Sequence, residues 1–502
     1  MTLRPLHELL APGVLARNVV SGLSDAGLEV SGLALDSRQV QSGDAFFALR
    51  GTRDHGITFA ASAVARGARV VLAEAPAPIE VALDVPVLWI DDLHAQVGAI
   101  AARFYDLPSR SLRVVGVTGT NGKTSTVQLL AQALEFLGHR AATIGTLGAG
   151  LYGHLAEAER TTPDAIQVQR LLAGFRDAGA AHVAMEVSSH ALEQGRVGAV
   201  DFEVAAFTNL TRDHLDYHGS MQAYAEAKAK LFAWPGLKAS VINTDDAFGR
   251  ELSSRVSADV QSLRFSSADD HAAEVAAGAI VTSSEGLAFE LRTPWGSRPI
   301  RSALLGRFNV ANLLAVVACL GALGEPFERI VDAIESLQPV NGRMNRLGGT
   351  AGVPLVVVDY AHTPDALEQA LSALRPHCAG RLICVFGCGG ERDVGKRPLM
   401  GAIAARLADV AIVTDDNPRG EDGDTIVAQI VAGVNDANAM TIERDRARAI
   451  GQALKLAGPS DIVLIAGKGH ETYQDGAAGK HPFDDIAVAR AMLERISAEP
   501  SP

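Results

Sequence analysis

The sequence predicts an α/β protein that is divided into three domains and built on parallel β-sheets. Its 502 residues leave room for roughly three domains of ordinary size. From Leu112 onward, short apolar runs alternate with helical patterns, which is typical of a parallel sheet covered by helices on both faces. Two breaks in this pattern place the predicted domains at residues 1–110, 111–345 and 346–502.

The first two predicted domains are outlined by short apolar runs with turn residues between them. Residues 59–66 have a helical pattern, and residues 107–111 look like a linker. The uncharged apolar stretch 308–324 contains two asparagines and is short for a membrane span, which favours a buried helix. The predicted strands are 30–35, 45–49, 70–73, 85–90, 114–118, 183–187, 204–208 and 240–243.

The third predicted domain follows a glycine-rich break at residues 339–349 and repeats one pattern four times. Each apolar run is followed at once by a polar loop that carries glycine or proline. Because ligands bind beyond the carboxyl ends of strands in open parallel sheets, we expect these four loops to share one edge. The predicted strands are 355–358, 382–386, 410–413 and 462–465, and their loops are 359–364, 387–393, 415–419 and 467–471.

Composition excludes several classes of protein. An apolar content of 48% and a charged content of 21% are those of an ordinary globular chain. The net charge of -13 argues against a nucleic-acid or membrane-surface binder, since both need a positive field. The first ten residues lack the pattern of a signal peptide, so we expect a cytoplasmic protein without membrane insertion. Among the four cysteines, Cys384 and Cys388 could suggest zinc, but no second ligand pair accompanies them.

The most informative stretch, residues 114–125, reads as a buried strand, a glycine-rich turn and the start of a helix. Glycines let the backbone aim its N–H groups inward, and a helix N-terminus adds partial positive charge. Lys123 supplies a full charge to this phosphate cradle, and the Thr124 hydroxyl faces a Mg²⁺ ion. Because Val117 stands where the strict GxxxxGK[ST] pattern has glycine, the alternative is a glycine-rich turn with a surface lysine. The cradle consists of Gly119, Thr120, Asn121, Gly122, Lys123, Thr124 and Ser125.

Two side chains at predicted strand ends are candidates to hold the same metal. Glu186 ends an apolar run, and a carboxylate there can share Mg²⁺ with Thr124. His214 lies beside Asp213 in the polar cluster 208–218 and can complete the metal shell as a neutral imidazole. The alternatives are a solvated strand-end acid for Glu186 and a structural histidine for His214.

These motifs together resemble those of the Mur ligases, which are ATP-dependent enzymes that form amide bonds in cell-wall precursor synthesis. The resemblance implies an N-terminal domain for the UDP end of the substrate. It further implies a central P-loop-like parallel-sheet ATPase domain and a C-terminal Rossmann-like domain for the incoming amino acid. The segments that carry it, in the family order, are 119–124, 186–190, 209–216, 306–312, 342–344 and 359–364.

The resemblance also implies roles for individual residues. Lys123, Lys228 and His214 are the implied catalytic residues. Lys228 aligns with a lysine that CO₂ carbamylates in these enzymes and that then helps to hold a second Mg²⁺, although its spacing alone marks it as an exposed helix residue. Beyond the cradle, ATP is implied to contact Asn309, Asn312, Arg343 and Asp359. The UDP-linked substrate is implied to contact Leu35, Ser37, Thr52, Arg53, Asp54, Thr161, Thr162, Ser188, Gln194 and Arg196.

A pocket for meso-diaminopimelate is implied by the run 416–419, which resembles the DNPR signature of the family members that use this amino acid. A planar guanidinium can clamp the distal carboxylate of diaminopimelate through two hydrogen bonds, and it repels the ammonium of lysine. The alternative for Arg419 is a turn arginine that pairs with Glu421 or Asp422. The implied pocket consists of Arg392, Asp416, Asn417, Pro418, Arg419, Gly467 and Glu471.

The resemblance therefore implies a ligase that uses ATP and Mg²⁺ to add diaminopimelate to UDP-N-acetylmuramoyl-L-alanyl-D-glutamate through an acyl phosphate. Its partners are then these small molecules and, by the same resemblance, other enzymes of cell-wall synthesis. Two alternatives stay open. One is a Mur-type ligase for lysine or another amino acid, and the other is a non-enzymatic module that binds nucleotide and partners without releasing phosphate.

Overall fold

A computed structural model describes residues 3–10, 27–51, 54–78, 81–157, 160–268, 270–349, 352–434 and 440–498. The chain forms two compact units, one of Met1–Arg264 with Ala318–Glu325 and one of Phe265–Val317 with Pro326–Pro502. Both units contain helices and largely parallel sheets, which confirms the predicted α/β class. No helix in the described ranges is long and apolar enough to cross a membrane.

The first unit begins with a four-stranded parallel sheet that has an apolar core on each face. Successive side chains of a strand point to opposite faces, so Phe47 packs into one core and Phe46 into the other. The strand order is Gly32–Ala34, Asp44–Ala48, Val70–Glu74 and Val87–Ile90. Nearby are the strands Arg4–Pro5 and Glu29–Val30, the helices Leu6–Leu9, Ala60–Ala65 and Leu93–Phe104, and the 3₁₀ turn Gly56–Phe59.

The predicted linker at 107–111 lies within the first unit, and its place between two domains stays a prediction. It forms the 3₁₀ turn Pro108–Ser111 with Pro108 and Ser109 buried. Close backbone packing nearby involves two glycines, since a Cβ on Gly98 would clash with the carbonyl oxygen of Gly198. The His94 ring also hydrogen-bonds the Gln194 carbonyl oxygen at 3.0 Å. The helix Leu93–Phe104 is therefore packed directly on the segment around residues 194–198.

A second, larger sheet of the first unit has parallel central strands. Glu186 and Val117 are partners in this ladder, so the end of one strand lies beside the start of the phosphate loop. The order is His154–Ala156, Gly148–Leu151, Ala141–Gly145, His182–Glu186, Arg113–Thr118, Phe202–Phe207, Ala239–Asn243 and Gln261–Ser266. The helices are Lys123–Phe136, Ala165–Asp177, Ser189–Glu193, Leu215–His218, Met221–Ala229 and Ala247–Arg255, and Lys230–Ala233 is a 3₁₀ turn.

The second unit is built on a six-stranded sheet in which only the edge strand Asn345–Gly348 is antiparallel to its neighbour. The order is Asn345–Gly348, Leu355–Asp359, Ile462–Ala466, Leu382–Phe386, Val410–Val413 and Met440–Ile442. The other strands are Val275–Ser283, Gly286–Thr293 and Gly296–Ser302, with the hairpin Tyr473–Gly476 and Gly479–Pro482. The helices are Phe327–Ser336, Pro364–Leu374, Lys396–Leu407, Gly423–Val431, Arg446–Leu456 and Asp485–Ala498, and Arg375–His377 is a 3₁₀ turn.

Several element predictions are confirmed and two are corrected. The four predicted strands of the third domain lie in one sheet, and the apolar stretch 308–324 forms the helix Phe308–Ala322. The predicted break at 339–349 contains a strand, and the antiparallel strands between 275 and 302 were not predicted. Cys384 and Cys388 are both buried, and desolvation raises the pKa of each thiol to about 12, which does not fit zinc-binding thiolates.

One buried ion pair ties two helices of the second unit to its sheet. Arg446 and Asp485 have fully buried side chains. The guanidinium donates to both Asp485 oxygens, at 2.8 and 2.7 Å, and to the carbonyl oxygen of Ala466 at 3.0 Å. Since the Asp485 carboxylate is the counter-ion, removing it leaves a buried and uncompensated guanidinium.

We expect Asp485→Ala to lower the free energy of unfolding by about 3 to 5 kcal/mol, because it breaks a buried pair from one side. Urea denaturation followed by circular dichroism measures this change. The matched control is Glu368→Ala, which breaks an exposed pair with Arg406 and should change stability by less than about 1 kcal/mol. Equal losses in the two variants would contradict the structural importance of the buried pair.

Candidate active site

The glycine-rich loop that the sequence predicts to cradle phosphate follows the strand Arg113–Thr118 and leads into the helix Lys123–Phe136. Gly119 has φ +146° and Gly122 has φ +85°, conformations that favour glycine. The loop is held from the neighbouring strand end, because Asn209 accepts hydrogen bonds from the N–H groups of Thr120 and Asn121 at 2.8 and 2.9 Å. The glycine pattern in the sequence therefore corresponds to a real tight turn with a fixed shape.

Lys123 lies over this loop. Its ammonium donates to the carbonyl oxygens of Gly119 and Thr120, at 2.9 and 2.8 Å. The side chain is thus held at the cradle instead of extending into solvent, which argues against the alternative of a surface lysine.

Glu186 is the acidic group of the cradle. Its carboxylate is 1% exposed and accepts hydrogen bonds from the Thr124 hydroxyl at 3.1 Å and from the Thr146 N–H at 2.8 Å. Desolvation raises the pKa of Glu186, while the positive charge of Lys123 opposes that shift. The alternative of a solvated strand-end acid is wrong. A buried carboxylate beside a threonine hydroxyl fits a hard divalent cation, which would stabilise the ionised acid.

Lys228 is buried beside the same loop, and the expectation of an exposed helix residue from its spacing was wrong. The residue is 1% exposed, and its Nζ donates to the Gly119 carbonyl oxygen at 2.8 Å. It also lies 4.2 Å from the centroid of the Tyr224 ring, whose hydroxyl is 3.2 Å from the Thr120 hydroxyl. Desolvation, followed by the charge of Lys123, lowers the pKa of Lys228 to about 6.

His214 lies in an aromatic cluster. Its side chain is 48% exposed, and its Nε2 is 3.4 Å from the Asp213 carboxylate. Its ring centroid is 4.9 Å from that of His190 and 6.0 Å from that of Tyr224. Within the described residues, no group of three or more His, Cys, Asp or Glu side chains is placed to hold a metal. A metal at this site would need oxygen ligands of other kinds, such as the Thr124 hydroxyl or substrate phosphates.

The residues implied for the muramoyl-peptide form one connected network around Glu186. The Thr162 hydroxyl donates to the Glu186 carbonyl oxygen at 2.8 Å and accepts from the Ser188 N–H at 3.2 Å. Arg196 donates to the Thr162 carbonyl oxygen at 3.0 Å and to the Gln194 side chain at 2.9 Å. The remaining member, Thr161, has its hydroxyl 3.1 Å from that of Thr146. The structure thus brings these five residues together.

The residues implied for the UDP end lie at the carboxyl edge of the first parallel sheet. Leu35 and Ser37 follow the strand Gly32–Ala34, where ligands of parallel sheets bind. Asp54 is exposed beside the next strand end. The other two implied residues, Thr52 and Arg53, lie outside the described residues.

The second unit holds the remaining residues implied for ATP. Asn309 and Asn312 are buried on one helix, and the Asn312 amide donates to the Asn309 oxygen at 2.8 Å. The Asp359 carboxylate accepts the N–H groups of Met344 and Ala361 at 2.8 and 2.9 Å, and burial raises its pKa. Arg343 lies 5.7 Å from the Tyr360 ring. The asparagines and Asp359 are thus held by protein groups.

The amino-acid pocket implied by the sequence contains a buried polar network. Asn417 donates to the Glu471 carboxylate at 2.9 Å. Lys468, whose side chain is fully buried, donates to the Asn417 oxygen at 3.0 Å and to Glu471 at 3.1 Å, and lies 3.9 Å from Asp416. Gly467, with φ +118°, opens this loop next to Asp416. The loops after two strands therefore meet at one edge, while Arg392 is exposed on a third loop.

Arg419 has a different partner from the one the sequence suggested. Its Nη1 donates to the Gly390 carbonyl oxygen at 2.9 Å, and its Nε is 3.7 Å from the Asp475 carboxylate. Glu421 pairs with Arg397, and Asp422 caps the helix Gly423–Val431. The alternative of a turn arginine paired with Glu421 or Asp422 is therefore wrong.

Three residues of these sites were missed by the sequence analysis. Lys468 and Tyr224 belong to motifs whose other members were chosen, and the glycines that flank Lys468 were a usable signal. The sequence contains no such signal for Asp475, because this residue reaches Arg419 only when the strands Tyr473–Gly476 and Gly479–Pro482 form their hairpin.

Comparison with known protein families identifies three domains along the chain. Three family models match it: the Mur ligase family catalytic domain at residues 29–105, the Mur ligase middle domain at 117–320 and the Mur ligase glutamate ligase domain at 342–469. These matches confirm the predicted three-domain fold, and the boundaries chosen from the sequence stay predictions.

Individual relatives extend over nearly the whole chain. The UDP-N-acetylmuramoyl-L-alanyl-D-glutamate–2,6-diaminopimelate ligase of Xanthomonas campestris pv. campestris is 56% identical over 98% of this chain and 97% of its own. The ligase of that name from Pseudomonas aeruginosa is 52% identical over 94% of this chain and 96% of its own. A solved structure of a ligase with this name superposes with a TM-score of 0.76 at 36% identity, covering 99% of this chain and all of the other. The chain therefore belongs to the Mur ligase family.

Proposed function

We propose that this protein is an ATP-dependent ligase that joins meso-diaminopimelate to UDP-N-acetylmuramoyl-L-alanyl-D-glutamate in peptidoglycan precursor synthesis. The observation that carries the proposal is a pocket in which a guanidinium, Arg419, lies on the same loop as Asn417, which hydrogen-bonds the Glu471 carboxylate. The distal end of diaminopimelate carries one carboxylate and one ammonium, so it matches both charges. The relatives named for this reaction support the same substrate.

The charges of the pocket favour an ammonium ligand. Asp416, Glu471 and Asp485 supply three carboxylates, while Lys468 and Arg446 supply two cations, and the five groups influence one another. Burial raises the pKa of Asp416, and the two cations oppose that rise. An additional positive group beside Glu471 would balance the cluster, because buried charges require partners.

The first chemical step is the activation of a carboxylate. We propose that the D-glutamyl carboxylate attacks the γ-phosphorus of ATP, so that a P–O bond to ADP breaks and an acyl phosphate forms. Lys123 is placed at the loop to neutralise charge on the transferring phosphoryl group. We propose that Gln194, Arg196 and Thr162 hold the muramoyl-peptide, and their hydrogen bonds to one another and to the Glu186 backbone support this role.

The second step forms the amide bond. The amine of diaminopimelate attacks the acyl carbon and phosphate leaves, which is favourable because phosphate is a far better leaving group than oxide. The protein contributes position and electrostatics, since two oriented reactants gain a large effective concentration. Exclusion of water protects the acyl phosphate from hydrolysis.

Mg²⁺ fits the acidic part of the cradle. Thr124 and Glu186 would hold it, with His214 as a further ligand, and a carbamate on Lys228 would help to hold a second Mg²⁺, as the family resemblance implies. When bound, Mg²⁺ neutralises phosphate charge. Lys228 suits carbamylation because its pKa near 6 leaves a neutral amine at neutral pH.

The rival functions make different predictions in one assay. Mass spectrometry of the product formed from the UDP-linked dipeptide, ATP and either diaminopimelate or lysine tests the proposal directly. Product with diaminopimelate alone supports it, product with lysine supports the lysine-adding alternative, and ATP binding without phosphate release supports a binding module. The latter is disfavoured because a scaffold has no need of the buried Glu186 or Lys228. Partner enzymes and the cellular location stay predictions.

Lys123→Ala should reduce ADP release in the complete assay by at least about a hundredfold, because the transferring phosphoryl group loses its fixed positive charge. Thermal unfolding should stay close to that of the wild type, since the side chain is only partly buried. Lys238→Ala, at an exposed lysine that pairs with Glu203, is the control. Retained ligation in Lys123→Ala would refute the assignment of the phosphate loop.

Arg419→Ala should lower kcat/KM for diaminopimelate by roughly ten- to a hundredfold, because it removes a charge-assisted clamp worth about 1.5 to 3 kcal/mol. The KM for ATP should not change. Arg406→Ala removes an exposed arginine from the same unit and serves as the control. If Arg419→Ala uses diaminopimelate as well as the control does, the pocket is elsewhere.

Bicarbonate should restore activity to enzyme prepared in CO₂-depleted buffer at neutral pH. The folded-state pKa of Lys228 is lowered from 10.5 to about 6, so the reactive neutral amine predominates above pH 6 and is lost below it. Rescue should therefore weaken as the pH falls through 6. Lys228→Met, which cannot form a carbamate, should show no bicarbonate response. Full activity of wild-type enzyme without CO₂ would exclude the modification.

A further inference from the structure

We infer that Asp475 determines substrate specificity because its carboxylate lies beside the Nε–Nη2 edge of the Arg419 guanidinium. This is the edge that the carboxylate of an incoming amino acid would bind. This inference rests on the proposed function, because it concerns the same amino-acid pocket. It adds a residue to which neither the sequence motifs nor the mechanism gave a role. Three observations support it. They are the docking of the hairpin that carries Asp475, the hydrogen bonds made by the Arg419 donors, and the partial burial of the Arg419 and Asp475 side chains.

The hairpin formed by Tyr473–Gly476 and Gly479–Pro482 docks on the loop that carries Arg419 mainly through backbone groups. The Arg419 N–H donates to the Asp475 carbonyl oxygen at 2.8 Å, and the Asp475 N–H donates to the Asn417 side chain at 2.9 Å. The Gln474 amide donates to the Asp416 carbonyl oxygen at 2.7 Å. The position of Asp475 relative to Arg419 is therefore fixed without help from its carboxylate.

The donors of Arg419 are used unevenly. Nη1 donates to the carbonyl oxygens of Gly390 and Asn417, at 2.9 and 3.4 Å. Nε lies 3.7 Å from the Asp475 carboxylate, and Nη2 has no hydrogen-bond partner among the residues that the structure describes. A guanidinium binds a carboxylate best through two parallel N–H groups on one edge. The edge open to a ligand is thus the Nε–Nη2 edge, beside which Asp475 lies.

The Asp475 carboxylate consequently competes with a ligand carboxylate. The side chains of Arg419 and Asp475 are 24% and 25% exposed, so solvent only partly screens them. A second carboxylate at the same edge meets repulsion from Asp475, which weakens diaminopimelate binding. The same negative charge offsets the repulsion between Arg419 and the ammonium of lysine. The charge of Asp475 therefore determines how strongly the pocket prefers diaminopimelate to lysine.

Asp475→Asn tests this idea, because it preserves shape and every backbone contact of the hairpin while removing the charge. We expect the KM for diaminopimelate to fall by about two- to fivefold, the range of a partly exposed ion pair. The use of lysine should become weaker and the KM for ATP should stay constant. The gain should shrink at high ionic strength, since salt screens the interaction.

Two further variants make the test decisive. In an Arg419→Ala background, Asp475→Asn should no longer lower the KM for diaminopimelate. Glu368→Gln removes a negative charge from an exposed pair in the same unit and should leave the KM unchanged. A rise or no change in KM for Asp475→Asn, or an equal fall in the Arg419→Ala background, overturns the inference. Failure of the wild-type enzyme to use diaminopimelate would instead refute the proposed function.

Discussion

The carbonyl oxygen of Gly119 is the acceptor that brings two lysine side chains of the first unit together. It receives hydrogen bonds from the Nζ atoms of both Lys123 and Lys228, at 2.9 and 2.8 Å. A backbone with φ +146° presents the oxygen in this direction, and such a conformation favours glycine. Burial lowers the pKa of Lys228, and the nearby positive charge of Lys123 lowers it further. A single glycine thus links the shape of the loop to the protonation of a lysine from a different helix.

The second unit also brings polar side chains from different elements into contact. Its polar network lies where two parallel strands end, so side chains far apart in sequence meet without a long loop. The fully buried Lys468 joins the Asn417 loop to Glu471, and Arg446 joins Asp485 to the carboxyl end of the strand Ile462–Ala466. Opposite charges lie close together in this network, and Lys468 is shared between Asp416 and Glu471.

Patterns of apolar residues and glycine were sufficient to predict the parallel strands, the glycine-rich turn at 119–122 and the α/β class, because these depend on local sequence. The burial of individual charged side chains and the identity of their partners were not predictable. Lys228 has the spacing of a solvent-facing helix residue, yet it is buried by the packing of a neighbouring loop. The alternative for Arg419 was a pair with Glu421 or Asp422, whereas its acidic neighbour, Asp475, belongs to a hairpin much further along the chain. Such contacts arise only from tertiary folding.

The contact between Gly98 and Gly198 limits which residues these two positions can accept. A Cβ at position 98 would lie within 3.0 Å of the Gly198 backbone, so a larger residue there would force the helix Leu93–Phe104 away from the segment that follows Arg196. The hydrogen bonds of Arg196 to Thr162 and Gln194 depend on the position of that segment. A mutation at Gly98 could therefore disturb these hydrogen bonds without touching any of the residues that make them.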